Sequence, residues 1–245
     1  MLTGWESSLS VFAMLGLGLA FGLKHATEVD HIVAVSTIVS EHRSLLRSMI
    51  VGGLWGMGHT ASLIVVGAVV LALRVAVPDS VASWLEFGVA LMIIGLGAGV
   101  LVRSVRRRRD FHLHRHSHDG VSHVHIHFHE GSTQHGGAVA AHSHAASLGG
   151  LKPVLVGGVH GLAGSAAVSL LVLTQIQSAS LGLLYLAVFG FGSILGMLMM
   201  STLIGIPFLL TSRRLSGLHQ SLQMCAGALS IVFGIWYAYE TSFGL

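Results

Sequence analysis

Apolar stretches at about 8–40, 46–73, 81–102, 151–173, 181–211 and 219–240, the first broken by a short polar run, leave this 245-residue chain without the polar surface an aqueous globule needs. Only 9% of its residues are charged and 53% are hydrophobic, with a mean hydropathy of +0.78. A soluble domain carries about a quarter charged residues. The solvent that suits such a chain is a bilayer, where about 20 apolar residues make one helical crossing. The pattern predicts an all-α integral membrane protein of about six transmembrane helices. It excludes a cytosolic enzyme.

The formal net charge of +3 and the pI of about 9.5 do not indicate nucleic acid, because the basic residues are clustered. Six crossings place 43–47, 103–150 and 213–214 on one side, which with Lys152 carries eleven Lys and Arg residues, while the other side holds Arg74. The positive-inside bias predicts a multi-pass protein of the plasma or inner membrane with both termini outside and the 110–148 tract in the cytoplasm. The first apolar segment is not expected to be a cleaved signal peptide. No Lys or Arg precedes it, and Lys24-His25 follows Gly22 where a small-residue cleavage site would stand. The single cysteine, Cys225, excludes a disulfide framework and a Cys-based zinc site, and is read as a small packing residue.

Aligning His25 with His160 brings Gly22-Leu23-Lys24-His25 onto Gly157-Gly158-Val159-His160, an offset of 135; Gly56-Met57 then falls on Gly196-Met197, offset 140, and Gly88 and Gly95 fall on Gly227 and Gly234, offset 139. The near-constant offset predicts two three-helix repeats, 1–109 and 149–245, around a His-rich loop at 110–148. With an odd number of crossings each, the halves insert in opposite directions, a plan of secondary transporters whose sites lie near the membrane midplane. Most of the 32 glycines are expected to serve close helix packing.

The polar run is Lys24-His25-Ala26-Thr27-Glu28-Val29-Asp30-His31, set between apolar residues. A continuous helix from Leu9 to Val39 would be about 46 Å long, against a hydrocarbon core of about 30 Å. The first helix is therefore expected to be interrupted at this run, whether as a functional break or as a loop between two shorter helices. Ionisable groups at membrane depth need partners or a watery cavity and mark a functional site by default. Imidazole and carboxylate donors together suit Ni, Co, Zn or Mn better than Ca or Mg. On one uninterrupted helix His25, Asp30 and His31 would diverge by more than about 100°, so a local unwinding is needed to bring them together. His59, in Gly56-Met57-Gly58-His59-Thr60, is a further intramembrane candidate, as is His160, whose half carries Ser165 where the first has Asp30. Glu28 and Lys24 are candidates for an auxiliary metal or proton-coupling role. Met197, Met199 and Met200 are read as packing, and Glu86 as interfacial.

The spacing His25-x-x-x-x-Asp30-His31 resembles the signature of the nickel/cobalt transporter family, and Gly58-His59-Thr60 is similar to that family's second motif. The likeness is greatest to the six-helix UreH-like nickel permease relatives, while the His-rich loop is similar to that of the nickel/cobalt efflux branch. The resemblance implies a carrier of Ni²⁺ or Co²⁺ as substrate, without a prosthetic group, with His25, Asp30, His31 and His59 in the binding site. In later segments, where that family carries acidic and Thr-rich motifs, this chain reads Gly161-Leu162-Ala163-Gly164-Ser165 and Gly196-Met197-Leu198-Met199-Met200.

Residues 110–145 hold eleven of the 17 histidines, among them His112, His114, His116 and His118, then His123, His125, His127 and His129. Such a tract is read as a metal-capture segment, mostly without regular structure, that concentrates cations with little selectivity. No Gly-x-x-x-x-Gly-Lys-Ser/Thr loop is present for ATP, and no His-Glu-x-x-His for a metalloprotease. The expected function is secondary transport of nickel or cobalt. Uptake or efflux of zinc, manganese or iron, or a sensing or storage role, are the alternatives. Expected partners are the bilayer and the cation, with a homo-oligomer or a cytoplasmic metallochaperone compatible and nucleic acid not expected.

Overall fold

The computed structural model describes residues 4–75, 77–109, 111–118, 121–128, 148–175 and 178–243. The helices are α1 (Gly4–His25), α2 (Val29–Val39), α3 (Leu45–Leu73), α4 (Asp79–Arg109), α5 (Leu148–Gln175), α6 (Ala179–Arg214) and α7 (Ser216–Phe243), with strands β1 (Phe111–His118) and β2 (Val121–Phe128) between α4 and α5. Among the described residues, α3, α4, α6 and α7 are long and apolar enough to cross a membrane singly, and α1 and α2 are shorter apolar pieces. The outward side chains are apolar on these helices: Phe12, Leu46, Val65, Leu91, Leu203 and Leu229 are all exposed. A surface of this kind is stable against lipid tails and not against water. Trp84 and Trp236 are also exposed, near the start of α4 and the end of α7, at the depth where amphipathic rings anchor a protein to the headgroups.

The polar run breaks the first apolar stretch. After His25 the chain makes tight three-residue bonds, Thr27 N–H to the Lys24 carbonyl at 2.8 Å and Glu28 N–H to the His25 carbonyl at 3.1 Å. The Thr27 hydroxyl also donates to the Lys24 carbonyl, at 2.6 Å. Glu28 is extended (φ −65°, ψ 150°) and forms the N-cap of α2. Lys24 thus closes one helix with a positive group, and Asp30 begins the next with a negative one, each sign matching the helix end it occupies.

Packing fixes the relative directions of the helices. α1 runs parallel to α6, with Gly18 against Tyr185, Gly22 against Phe189 and Ser193, and Ala26 against Gly196. α3 runs parallel to α5 (Trp55 by Gly157, His59 by Gly161) and antiparallel to α6 (Gly56 by Ile194, the Thr60 hydroxyl on the Gly190 carbonyl at 3.0 Å). α4 and α7 are antiparallel, with Gly97 against Gly227 and Ala90 against Gly234. α2 fits between α4, α6 and α7. A methyl group on Gly22 would lie 2.1 Å from the Phe189 carbonyl oxygen, and one on Gly157 2.0 Å from that of Trp55. Only glycine permits either approach. Gly22 and Gly157 are 135 positions apart, and Phe189 and Trp55 are 134 apart, so one contact occurs twice with the two halves exchanged.

One expectation for the His-rich tract is corrected. Its residues 111–118 and 121–128 form an antiparallel hairpin rather than an irregular segment, in a register that sets His112 opposite His127, His114 opposite His125 and His116 opposite His123. The reason is the period of the sequence. Alternation of His with Leu113, Arg115, Val124 and Ile126 is the two-residue repeat of a strand, and cross-strand pairing satisfies the backbone of a segment without a core. His118 stands opposite Val121; His129 lies outside the described residues. Cys225 is exposed on α7 and not part of the interior.

Candidate metal site

Four elements converge where the first apolar stretch breaks. His25 comes from the end of α1, Asp30 and His31 from the first turn of α2, His59 from the middle of α3 and His160 from α5. All four imidazoles are buried, between 0% and 8% exposed. Their ring centroids are close: 4.1 Å between His31 and His160, 4.6 Å between His25 and His31, and 5.1 Å between His25 and His59. Two overlapping groups have ligand atoms near enough to hold one ion, His25 with His31 and His59, and Asp30 with His31 and His160. His31 belongs to both.

The carboxylates dictate which nitrogens are available. Asp30 accepts at Oδ1 from His31 Nδ1 at 2.9 Å and from the His31 backbone N–H at 2.8 Å, and at Oδ2 from His160 Nε2 at 2.8 Å. An ionised carboxylate only accepts hydrogen bonds, so both rings donate to it and keep their lone pairs on His31 Nε2 and His160 Nδ1. Those two atoms are buried and have no hydrogen-bond partner among the described residues. On the other side of the cluster, Glu28 Oε2 accepts a hydrogen bond from His25 Nδ1 at 2.9 Å, which leaves His25 Nε2 as an acceptor 3.1 Å from His59 Nε2; His59 Nδ1 is buried without a partner among the described residues. Neutral imidazoles held by a second-layer carboxylate, each keeping one nitrogen unprotonated, are a donor set for a borderline transition metal.

A cavity of about 370 Å³ reaches the cluster, lined by His25, Asp30, His31 and His160 together with Lys24, Glu28, Glu86, Tyr185 and Tyr237. Beyond the cluster its lining includes the starts of α4 and α6 and the last turns of α7, so it opens toward the end of the bundle where α1 begins and α7 ends. On the opposite, hairpin side the cluster is covered by Trp55, one turn before His59, fully buried with its ring 5.5 Å from His31 and 5.4 Å from His160.

Of the residues singled out in the sequence, His25, Asp30, His31, His59 and His160 meet; Glu28 holds His25, and Lys24 lines the cavity without an ion pair in the cluster. Glu86, read as interfacial, belongs to the cavity wall instead. Its place two turns into α4, facing the same cavity as Asp30, depends on the α4–α7 packing, which no local pattern reveals. Met197 is fully buried in the core, Met199 is exposed, and neither joins the cluster. Trp55, Tyr185 and Tyr237 carried no signal of their own, though Trp55 stands four residues before His59, on the same helix face.

No family profile matches the chain, and no solved structure matches it. Among curated proteins it is 36% identical to the urease accessory protein UreH of Bacillus sp. (strain TB-90) over 232 residues, which cover 95% of this chain and 93% of that relative.

Proposed function

The chain belongs to the UreH-like relatives within the nickel/cobalt transporter family, and from that membership and the donor set of its site we propose that it carries Ni²⁺ or Co²⁺ across a membrane through the buried His/Asp cluster. It is a carrier and not an enzyme. The observation behind the reading is Asp30 bridging His31 and His160 across two helices while four imidazoles are kept buried and neutral-capable around it. Burying five polar side chains at membrane depth is costly, and a cation that takes up their lone pairs offsets that cost.

The architecture proposed is two inverted three-helix repeats, 1–109 and 149–245, joined by 110–148. The repeated Gly22–Phe189 and Gly157–Trp55 contacts support it, as do the matching parallel pairs α1–α6 and α3–α5. With the basic loops inside, both termini face out and the cavity loads from outside. A divalent ion then gains about 2.3 kcal/mol per charge per 100 mV on entering a negative interior, which is enough to drive uptake without ATP. The hairpin histidines serve as a cytoplasmic capture tract that passes the ion to a soluble metallochaperone. No prosthetic group is required.

The test is flux of Ni²⁺, Co²⁺, Zn²⁺, Mn²⁺ and Fe²⁺ into proteoliposomes of known orientation, with and without a pH gradient. Saturable, potential-driven entry of Ni²⁺ or Co²⁺ is expected. Entry of only Zn²⁺, Mn²⁺ or Fe²⁺ would reassign the substrate, and saturable binding without flux would favour storage or sensing.

A further inference from the structure

The cavity ends at the histidine cluster, and below it, toward the hairpin end, a second set of polar groups is fully enclosed. The inward face of α7 reads His219, Gln223, Gly227, Ser230 and Gly234, one residue per helical turn and all buried. Tyr237, the next residue on that face, lines the open cavity. One stripe of α7 therefore runs from the cavity to the opposite end with no large aliphatic side chain on it. Within that stripe Gly227 and Gly234 pack on α4 and His219 lies beside Thr211 of α6, while Gln223 and Ser230 face α2, the half-helix that starts at Asp30-His31. Its buried Thr37 meets Ser230 hydroxyl to hydroxyl, and the Gln223 amide donates to the Ser40 carbonyl at 2.7 Å.

Where helices in this bundle are simply fastened together, glycine meets backbone, as at Gly22 and Gly157. The α2–α7 seam is different, since hydroxyls and a carboxamide are sealed inside it. Each hydroxyl of α2 also has a partner in its own helix: Thr37 donates to the Val33 carbonyl at 2.9 Å and Ser40 to the Thr37 carbonyl at 2.7 Å. If α2 swings away from α7, the α2 hydroxyls stay satisfied, Ser230 and Gln223 are released from their partners on α2, and the seam becomes a polar lining. The hinge for such a swing is already present in the turn at 26–28.

We propose that the α2–α7 seam is the hairpin-side half of the cation path, closed in this structure by the Thr37–Ser230 and Gln223–Ser40 hydrogen bonds. The proposal rests on the transport reading above and adds the route by which the ion leaves the cluster. Oxygen donors from Thr37, Ser230 and Gln223 are weaker ligands for nickel or cobalt than the imidazoles above them. A route that weakens in this way lets the ion go.

The test uses the full chain in proteoliposomes, with Cys225→Ala as background and Thr37→Cys/Ser230→Cys added. Diamide oxidises the two thiols to a disulfide that pins α2 to α7. Ni²⁺ flux is expected to fall at least tenfold on oxidation and to return with dithiothreitol, while equilibrium binding of Ni²⁺ stays unchanged. A cross-linked protein that still transports at the unoxidised rate overturns the proposal. Should the pair not cross-link, Ser230→Cys alone decides. A membrane-impermeant methanethiosulfonate added on the hairpin side should modify it during turnover, at least tenfold faster than it modifies Ser201→Cys, a buried serine on α6. Equal rates at the two positions would show that the seam is only packing. If the unmodified chain neither binds nor moves Ni²⁺, the functional reading above fails; the labelling contrast under resting conditions still reports whether the seam opens.

Discussion

In the bundle, four imidazoles from α1, α2, α3 and α5 are buried, and two carboxylates assign their protons. In the hairpin, His112, His114 and His116 stand opposite His127, His125 and His123 along a two-stranded ladder, and no acidic residue occurs in either strand. Both regions gather the same ligand, but only the first prescribes which nitrogen of each ring is free. A site whose rings are oriented beforehand spends little binding energy on ordering and discriminates by geometry. Histidines held only by strand register bind whichever borderline cation arrives. The contrast assigns selection to the bundle and accumulation to the hairpin, and it can be broken at several points.

The largest effect is expected from Asp30→Asn. The carboxylate accepts from two rings at once; an amide can accept at its oxygen, but its nitrogen would meet the N–H of the other ring. That ring must then flip its tautomer and turn its lone pair away from the ion. Loss of one orienting partner commonly costs 10–100-fold in metal affinity, and here one ring loses its partner while the other keeps only a neutral acceptor. Ni²⁺ flux should fall by about 100-fold, while the metal bound by the hairpin, measured on the same protein, is unchanged. Wild-type flux in Asp30→Asn would remove the cluster from the transport path.

Glu28→Gln should do less. Glu28 touches one ring, His25, and its side chain is 52% exposed, so water can replace it. About a tenfold rise in half-saturation is expected, the low end for an orienting partner, with maximal flux close to wild type. If Glu28→Gln matched Asp30→Asn, proton release through Glu28 rather than ring orientation would be the dominant role of the carboxylates.

Much of this site is legible in the sequence, for identifiable reasons. The break at 26–28 follows from a stretch too long for the bilayer and from residues that cannot converge on one helix; His160 follows from the 135-residue offset that places it on His25. What stays hidden is everything that depends on which faces meet. Thr37 and Ser230 are 193 residues apart, uncharged, and ordinary in composition, so nothing local marks them as partners. Glu86 looks like a residue at a helix entrance until α7 brings Tyr237 beside the same cavity. The hairpin fails to show for the opposite reason. Its period of two was visible, but a tract so polar has no core to order it, and the backbone ladder supplies what a core would.

Deleting 112–144 tests the other half of the contrast. Flux at saturating metal should be unchanged, and half-saturation should rise a few-fold. The sign with pH follows from imidazole itself. Only the neutral ring binds metal, and an ordinary histidine titrates near 6.5. The extra metal held by the full chain over the deleted chain is therefore present at pH 7.5 and lost as pH falls to 5.5, counted by equilibrium dialysis. A pH-independent difference would mean that something other than imidazole holds it.

The smallest effect belongs to Lys24, the one cation of the cavity wall among the described residues. Lys24 is exposed and shares that wall with Glu28 and Glu86. A divalent ion passing a unit charge at about 8 Å in water is repelled by about 1 kcal/mol, and physiological salt screens over about the same distance. Lys24→Ala should therefore lower half-saturation for Ni²⁺ by up to about fivefold in dilute buffer and by much less in 0.5 M salt, roughly the factor that 1 kcal/mol supplies. Lys24→Gln, which keeps most of the side chain's bulk, should behave the same way. If both variants shift half-saturation equally at low and high salt, Lys24 acts through packing of the α1 terminus; if only Ala does, the bulk of the side chain and not its charge sets the entrance. A salt-dependent gain in both would show that selection begins at the entrance, with a charge that disfavours every cation equally and leaves the choice among them to the imidazoles below.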